Sequence, residues 1–132
     1  MRVLGLMSGT SHDGVDGAIM DFSQKEGNLT GHLLWSASVP YPGDLRKRIV
    51  KTLPPSSVSL AQITELDTLI GQHFAEVAQK AWDEGIPFDA VCSHGQTIYH
   101  LIDAGEAKGT LQIGSAAWIA EACGTPVVSN FR

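Results

Sequence analysis

Apolar and polar positions follow two different periods along this chain. Up to residue 39 they form short runs separated by turn-forming residues, which is the habit of strands. Residues 2–7, RVLGLM, make a compact buried strand that stops at the polar, glycine-bearing run SGTSHDG. Residues 15–22 alternate weakly and predict a second strand. Glu26-Gly27-Asn28 supplies turn chemistry, and residues 30–39 predict a third strand closed by Pro40 and Pro42. Three strands joined by short loops predict an antiparallel meander.

From residue 45 the period lengthens to that of a helix. Leu45, Ile49 and Leu53 recur four residues apart, with Arg46, Lys47, Arg48 and Lys51 spread around them as a solvated face. Pro54-Pro55 stops that helix. Ser59 and Gln62 have the spacing of a capping box, in which each side chain satisfies a free backbone N–H of the other. They open a long apolar stripe: Leu60, Ile63, Leu66, Ile70, Phe74, Val77 and Ala81. Gly85 is placed to end it and Pro87 prevents its resumption. His73, on this helix, has no partner ligand one turn away and reads as structural.

Residues 88–92 predict a short buried strand that gives way to the polar run Ser93-His94-Gly95-Gln96-Thr97, read as a loop. Residues 111–113 are either a further short strand or a turn. Residues 115–123 predict a small alanine-rich helix ended by Gly124, and residues 126–129 a last strand. Helices preceding the later strands are the pattern of crossovers feeding a parallel sheet. The predicted fold is therefore α/β, a mixed five-stranded sheet with helices on its faces. No covering helix follows the last strand, so the chain is expected to be truncated.

Composition narrows the function classes. With 132 residues, 43% hydrophobic and 17% charged, the chain has the make-up of one globular domain. A formal net charge of -5 argues against a nucleic-acid or anionic-membrane surface. No apolar run approaches the ~18 residues of a membrane span. The N-terminus lacks the longer apolar region and small-residue cleavage site of a signal peptide, so a cytoplasmic location is expected. Cys92 and Cys123 show no Cys-x-x-Cys spacing and are expected to be free, buried or half-buried thiols.

Two segments carry candidate chemistry. In the first loop, glycines let backbone amides turn inward and hydroxyls add donors, the make-up of an anion nest. It is neither a P-loop, having no nearby lysine, nor a dinucleotide fingerprint. A hairpin turn rich in turn-formers has the same composition, and Asp13 either orients a magnesium hydration shell or caps the turn. The second segment, residues 93–97, lies at the carboxyl end of a predicted strand, where open α/β sheets bind their ligands. Its run of hydrogen-bonding groups suits a polyhydroxylated ligand such as a sugar, or else a polar surface loop. No carboxylate or cysteine stands at metal spacing from His94 or His100, so no metal site is assigned.

Taken together, MSGTSHDGVD at 7–16, LDTLIGQHFA at 66–75, SHGQTIYH at 93–100 and LQIGSAAWIAEACGTPVVSNFR at 111–132 resemble the anhydro-N-acetylmuramic acid kinase family. The motifs occur in the family's order across essentially the whole chain. The resemblance implies a ribonuclease H-like, actin-like ATPase fold of two lobes with ATP in the cleft between them, residues 1–132 being the N-terminal lobe. It implies ATP and Mg²⁺ as cofactors, and phosphorylation of 1,6-anhydro-N-acetylmuramic acid with hydrolytic opening of its anhydro bridge. The product is N-acetylmuramic acid 6-phosphate, in cell-wall recycling. Gly9, Thr10, Ser11, His12, Asp13, Gly14, Val15 and Asp16 correspond to the family's ATP-phosphate loop. Ser93, His94, Gly95, Gln96 and Thr97 correspond to a stretch expected to border the sugar.

Two positions depart from the family pattern. His12 replaces a common aliphatic residue, and Asn130 stands where the family usually has Asp in its D-F-R element. The family's general-base aspartate, in a G-F-D-T-G-type motif, is expected beyond Arg132. No catalytic residue is therefore assigned here, and the isolated chain is expected to be inactive. A homodimer of the full-length protein is left open. The alternative is a non-catalytic nucleotide- or sugar-binding module of the same fold.

Overall fold

The computed structural model describes residues 1–131; Arg132, the last residue of the closing motif, lies outside them. The meander forms as the alternation predicts. Strands β1 (Arg2–Ser8), β2 (Gly14–Lys25) and β3 (Asn28–Pro40) pair antiparallel in succession. Leu4, Leu6 and Ser8 of β1 are buried together with Val15 and Ile19 of β2, while Met7 stands half exposed on the opposite face. Strands β2 and β3 are joined by a two-residue turn at Glu26 and Gly27. Both have positive φ (51° and 81°), the turn whose twist matches that of the flanking strands.

β1 also pairs in parallel with β4 (Ala90–Asp103), and β4 pairs in parallel with β6 (Val127–Ser129). The order β3-β2-β1-β4-β6 makes the lobe ribonuclease H-like, the five strands expected. A sixth strand, β5 (Glu106–Ile113), settles the alternative left at residues 111–113 in favour of a strand, which starts five residues earlier. It pairs antiparallel with residues 96–103 of β4. Ser8 flanks Gln96 on one edge of β4 and Ile113 on the other, so β5 continues the edge that β6 occupies lower down. The polar run 93–97 is accordingly strand, not loop. Ser93 and Gln96 are paired on both sides of the strand, and that pairing overrides the lack of apolar side chains.

Helices α1 (Gly43–Thr52), α2 (Leu60–Asp83) and α3 (Ala116–Cys123) gather on one face of the sheet. There Leu45, Ile49, Leu66, Ile70, Phe74, Val77 and Ile119 form one core with Leu4, Leu6, Val15, Ile19 and Val91. Each large side chain so buried stabilises the fold by about 1.5–3 kcal/mol before entropy is counted. The capping box opens α2: Ser59 Oγ accepts from the Gln62 N–H at 3.2 Å, and Gln62 Oε1 accepts from the Ser59 N–H at 2.8 Å. Gly71 lets α3 approach closely, because a Cβ there would lie 2.7 Å from the Ser115 carbonyl oxygen. His73 is buried and, contrary to the expectation of no partner one turn away, its Nδ1 lies 3.0 Å from Glu76 Oε2, with its ring 5.0 Å from that of Tyr41. Cys92 and Cys123 are free and partly buried. Among the described residues no helix is long and apolar enough to cross a membrane.

Candidate functional site

The first loop leaves β1 at Ser8 and enters β2 at Gly14. Thr10 and Ser11 are exposed at its tip, and their N–H groups have no backbone partner among the described residues. The Ser11 hydroxyl donates to Asp13 Oδ1 at 2.6 Å. That hydrogen bond, aided by the loop's own amides and the Arg46 charge, holds the Asp13 carboxyl below the usual carboxylate range. Arg46 Nε donates to the His12 carbonyl at 3.0 Å, and the Tyr41 N–H donates to the Asp13 carbonyl at 2.9 Å, tying the loop base to the start of α1. Asp16 accepts from the Ser38 hydroxyl across the β2–β3 pair. Val15, in contrast, turns into the core and packs there.

His12 does not point out of the loop. Its Nε2 lies 3.1 Å from the Thr97 carbonyl oxygen, which only accepts, so this nitrogen carries the proton. The histidine thus fastens the loop to β4. Gln96 of β4, expected to offer its amide to a ligand, is turned inward: it is fully buried, and its partners are Ser8, Gly9 and Thr97. The loop and the 93–97 segment, 80 or so residues apart in sequence, therefore meet along β4.

On the other side of β4 lies a cleft of about 170 Å³, beside residues 93–95 of β4 and at the carboxyl end of β6. Ser93, His94, Gly95, Gln112, Ser115, Asn130 and Phe131 line it, with Asp67 of α2. Ser93 is buried, and its Oγ has no hydrogen-bond partner among the described residues. His94 Nδ1 donates to the Gly95 carbonyl at 3.1 Å, and its ring lies 6.5 Å from that of Phe131. Gly95 is required at its position: φ is 74°, and a Cβ would lie 2.8 Å from the Ile113 carbonyl oxygen. Asn130 sits at φ 54°, in the left-handed region that Asn tolerates.

Asp67 was missed at the sequence level. Its Oδ1 accepts from the Gly114 N–H at 2.8 Å and its carbonyl from the Ser115 N–H at 3.2 Å, so it seats the start of α3. The signal was a carboxylate beside the apolar stripe of α2, which reads equally as a solvated position. Among the described residues no three His, Cys, Asp or Glu side chains gather as a ready-made metal site. A hydrated magnesium ion needs only one or two carboxylates, and this segment offers two exposed ones, Asp13 and Asp16. The free amides at the loop tip fit phosphate oxygens.

A family model described as anhydro-N-acetylmuramic acid kinase matches residues 1–132. Among curated relatives of that name, the Streptomyces coelicolor protein is 48% identical over 134 residues, covering 100% of this chain and 34% of the relative. The Rhodococcus erythropolis protein is 46% identical, again over 100% of this chain and 34% of the relative. The Synechococcus elongatus protein is 41% identical over 133 residues, 100% of this chain and 35% of the relative. The chain thus spans about a third of the length of the curated relatives it matches.

Proposed function

This chain belongs to the anhydro-N-acetylmuramic acid kinase family, and we propose that it is the N-terminal lobe of a two-lobed, ATP-dependent sugar kinase of the cytoplasm. The full-length protein converts 1,6-anhydro-N-acetylmuramic acid to N-acetylmuramic acid 6-phosphate, opening the anhydro bridge with water, as a step of cell-wall recycling. The observation that carries this reading is the convergence on β4 of an exposed, donor-rich turn at the carboxyl end of β1 and a polar cleft at the carboxyl end of β6.

Each part has a separate task. The N–H groups of Thr10 and Ser11 donate to phosphate oxygens. Asp13 and Asp16, which would repel bare phosphates, would hold the water shell of magnesium. That ion supplies neutralisation of phosphate charge. In the cleft, the Ser93 hydroxyl gives its unused hydrogen bond to the sugar, with His94, Gln112 and Asn130 around it. The base that activates water comes from the aspartate expected beyond residue 132.

Phosphoryl transfer depends mainly on positioning, worth roughly 7–11 kcal/mol when reactants are held in line. The 132-residue chain alone is therefore expected to be inactive. The test incubates the full-length protein, and separately this chain, with ATP, Mg²⁺ and the anhydro sugar, and looks for the 6-phosphate by mass spectrometry. No product from the full-length protein sinks the kinase reading. Product from the chain alone sinks the claim that a second lobe is needed.

A further inference from the structure

The side chains of Gln96 and Ser8 form a buried junction at both ends of the first loop. Gln96 Nε2 donates to the Gly9 carbonyl at 2.9 Å and to the Thr97 carbonyl at 3.0 Å. Both partners only accept, which fixes the amide orientation and leaves Oε1 facing Ser8. The Ser8 hydroxyl stands 2.7 Å from that Oε1 and 2.6 Å from the Gly14 carbonyl, so its single proton lies between two acceptors. Gly9 and Gly14 are the first and last residues of the turn. One amide and one hydroxyl thus connect both ends of the turn to β4, the strand that also carries Ser93 and His94 into the cleft.

We propose that Gln96, acting through Ser8 and Gly9, is a positioning residue that sets the phosphate loop relative to the sugar cleft. This rests on the kinase reading above. Gln96 touches neither ligand; its part is to fix the spacing between them. Burial matters here, because water competes poorly for these bonds and a loose loop would lose the in-line geometry. His12 Nε2 on the Thr97 carbonyl adds a third tie to the same stretch of β4.

The experiment uses the full-length protein with Gln96→Met, which keeps length and removes all three hydrogen bonds, and Ser8→Ala beside Ser8→Thr. Gln96→Met is expected to raise the KM for ATP about fivefold or more and to lower kcat about tenfold or more, with the sugar KM within about twofold. Ser8→Ala should repeat this more mildly, and Ser8→Thr, which keeps the hydroxyl, should restore it. Independently of turnover, hydrogen exchange is read at the His12 and Tyr41 amides, which donate to the loop carbonyls of Gly9 and Asp13. Exchange there should accelerate about tenfold in Gln96→Met while the β2–β3 hairpin is unchanged. If Gln96→Met does not fold, the Ser8 pair decides by the same readouts. Unchanged loop exchange, or a rise in sugar KM alone, overturns the proposal. A wild-type protein that phosphorylates nothing defeats the kinase reading instead, and the exchange data still decide whether Gln96 holds the loop.

Discussion

The Ser11 hydroxyl donates to Asp13 Oδ1 at 2.6 Å, two residues apart across an exposed turn. This bond is the first cause of the lowered Asp13 pKa, so the carboxylate stays ionised well into acid. In the full-length protein Asp13→Asn removes that charge from the proposed phosphate loop. We expect kcat to fall on the order of 10²-fold with a much smaller change in sugar KM. Steady-state kinetics on a folded variant checks this, and unchanged turnover would reduce Asp13 to a turn residue.

The same pair predicts a pH effect. Ser11→Ala removes the main influence that lowers the Asp13 pKa, so the pKa moves up toward its ordinary value. Protonation then begins at higher pH, and the acid limb of the kcat profile should move in that direction. An acid limb that stays in place in Ser11→Ala would show that another group governs it.

Ser93 offers a sharper test of the cleft. Its buried hydroxyl has no partner among the described residues, so Ser93→Ala removes an unsatisfied group and should leave stability unchanged or raise it by up to about 1 kcal/mol. If the hydroxyl serves the sugar, the sugar KM should rise about fivefold to tenfold, equivalent to roughly 1–1.5 kcal/mol, with the ATP KM unchanged. Denaturant melts and kinetics on the same variant separate the two effects. A drop in stability without a change in KM would assign Ser93 to the fold.

The sequence pattern sufficed for the meander and for α2 because local and tertiary demands agree there. The Leu66–Ile70–Phe74 spacing, the Ser59–Gln62 box and the Glu26–Gly27 turn each favour the structure that packing also favours. The extension of β4 was not legible. Ser93 through Thr97 are polar, and what keeps them in a strand is backbone pairing of Ser93 with β1 and β6, of Gln96 with β1 and β5, and of Thr97 with β5. Gln96 failed for the same reason. A polar residue in a polar run reads as exposed until Ser8 and Gly9 are brought against it. The first loop could be singled out by its residue types, but not the inward turn of Val15 or the tie between His12 and Thr97.

Phe74 sits fully buried at the centre of the face that α2 turns to the sheet. Phe74→Ala removes its apolar area and leaves a void in the single core it shares with Leu4, Leu6 and Ile70. Denaturant unfolding of the chain should show a loss of about 3–5 kcal/mol, enough to unfold a marginal domain. A loss below about 1 kcal/mol would mean that this face is loosely packed.

Tyr41, whose N–H holds the Asp13 carbonyl of the first loop, also governs alkaline stability. Burial pushes its hydroxyl up to about 12 from an ordinary 10.0; the nearby Ser8 hydroxyl opposes the shift, and the Asp13 charge adds to it. The sign follows from which state releases the proton first. The unfolded chain ionises Tyr41 near pH 10, whereas the folded chain keeps the proton until about pH 12. The stabilisation tied to the neutral phenol is therefore complete below about pH 10. It declines between pH 10 and 12 and is lost above the folded value, amounting at most to roughly 3 kcal/mol. Tyr41→Phe keeps the ring against His73 and removes the titration. Because the Tyr41 hydroxyl has no hydrogen-bond partner among the described residues, the variant should be about as stable as wild type at pH 8. Urea melts at half-unit steps from pH 8 to 11.5 should then show the two proteins diverging above about pH 10, with Tyr41→Phe the more resistant. Curves that fall in parallel over that window would mean that Tyr41 ionises as easily in the folded chain as in the unfolded one.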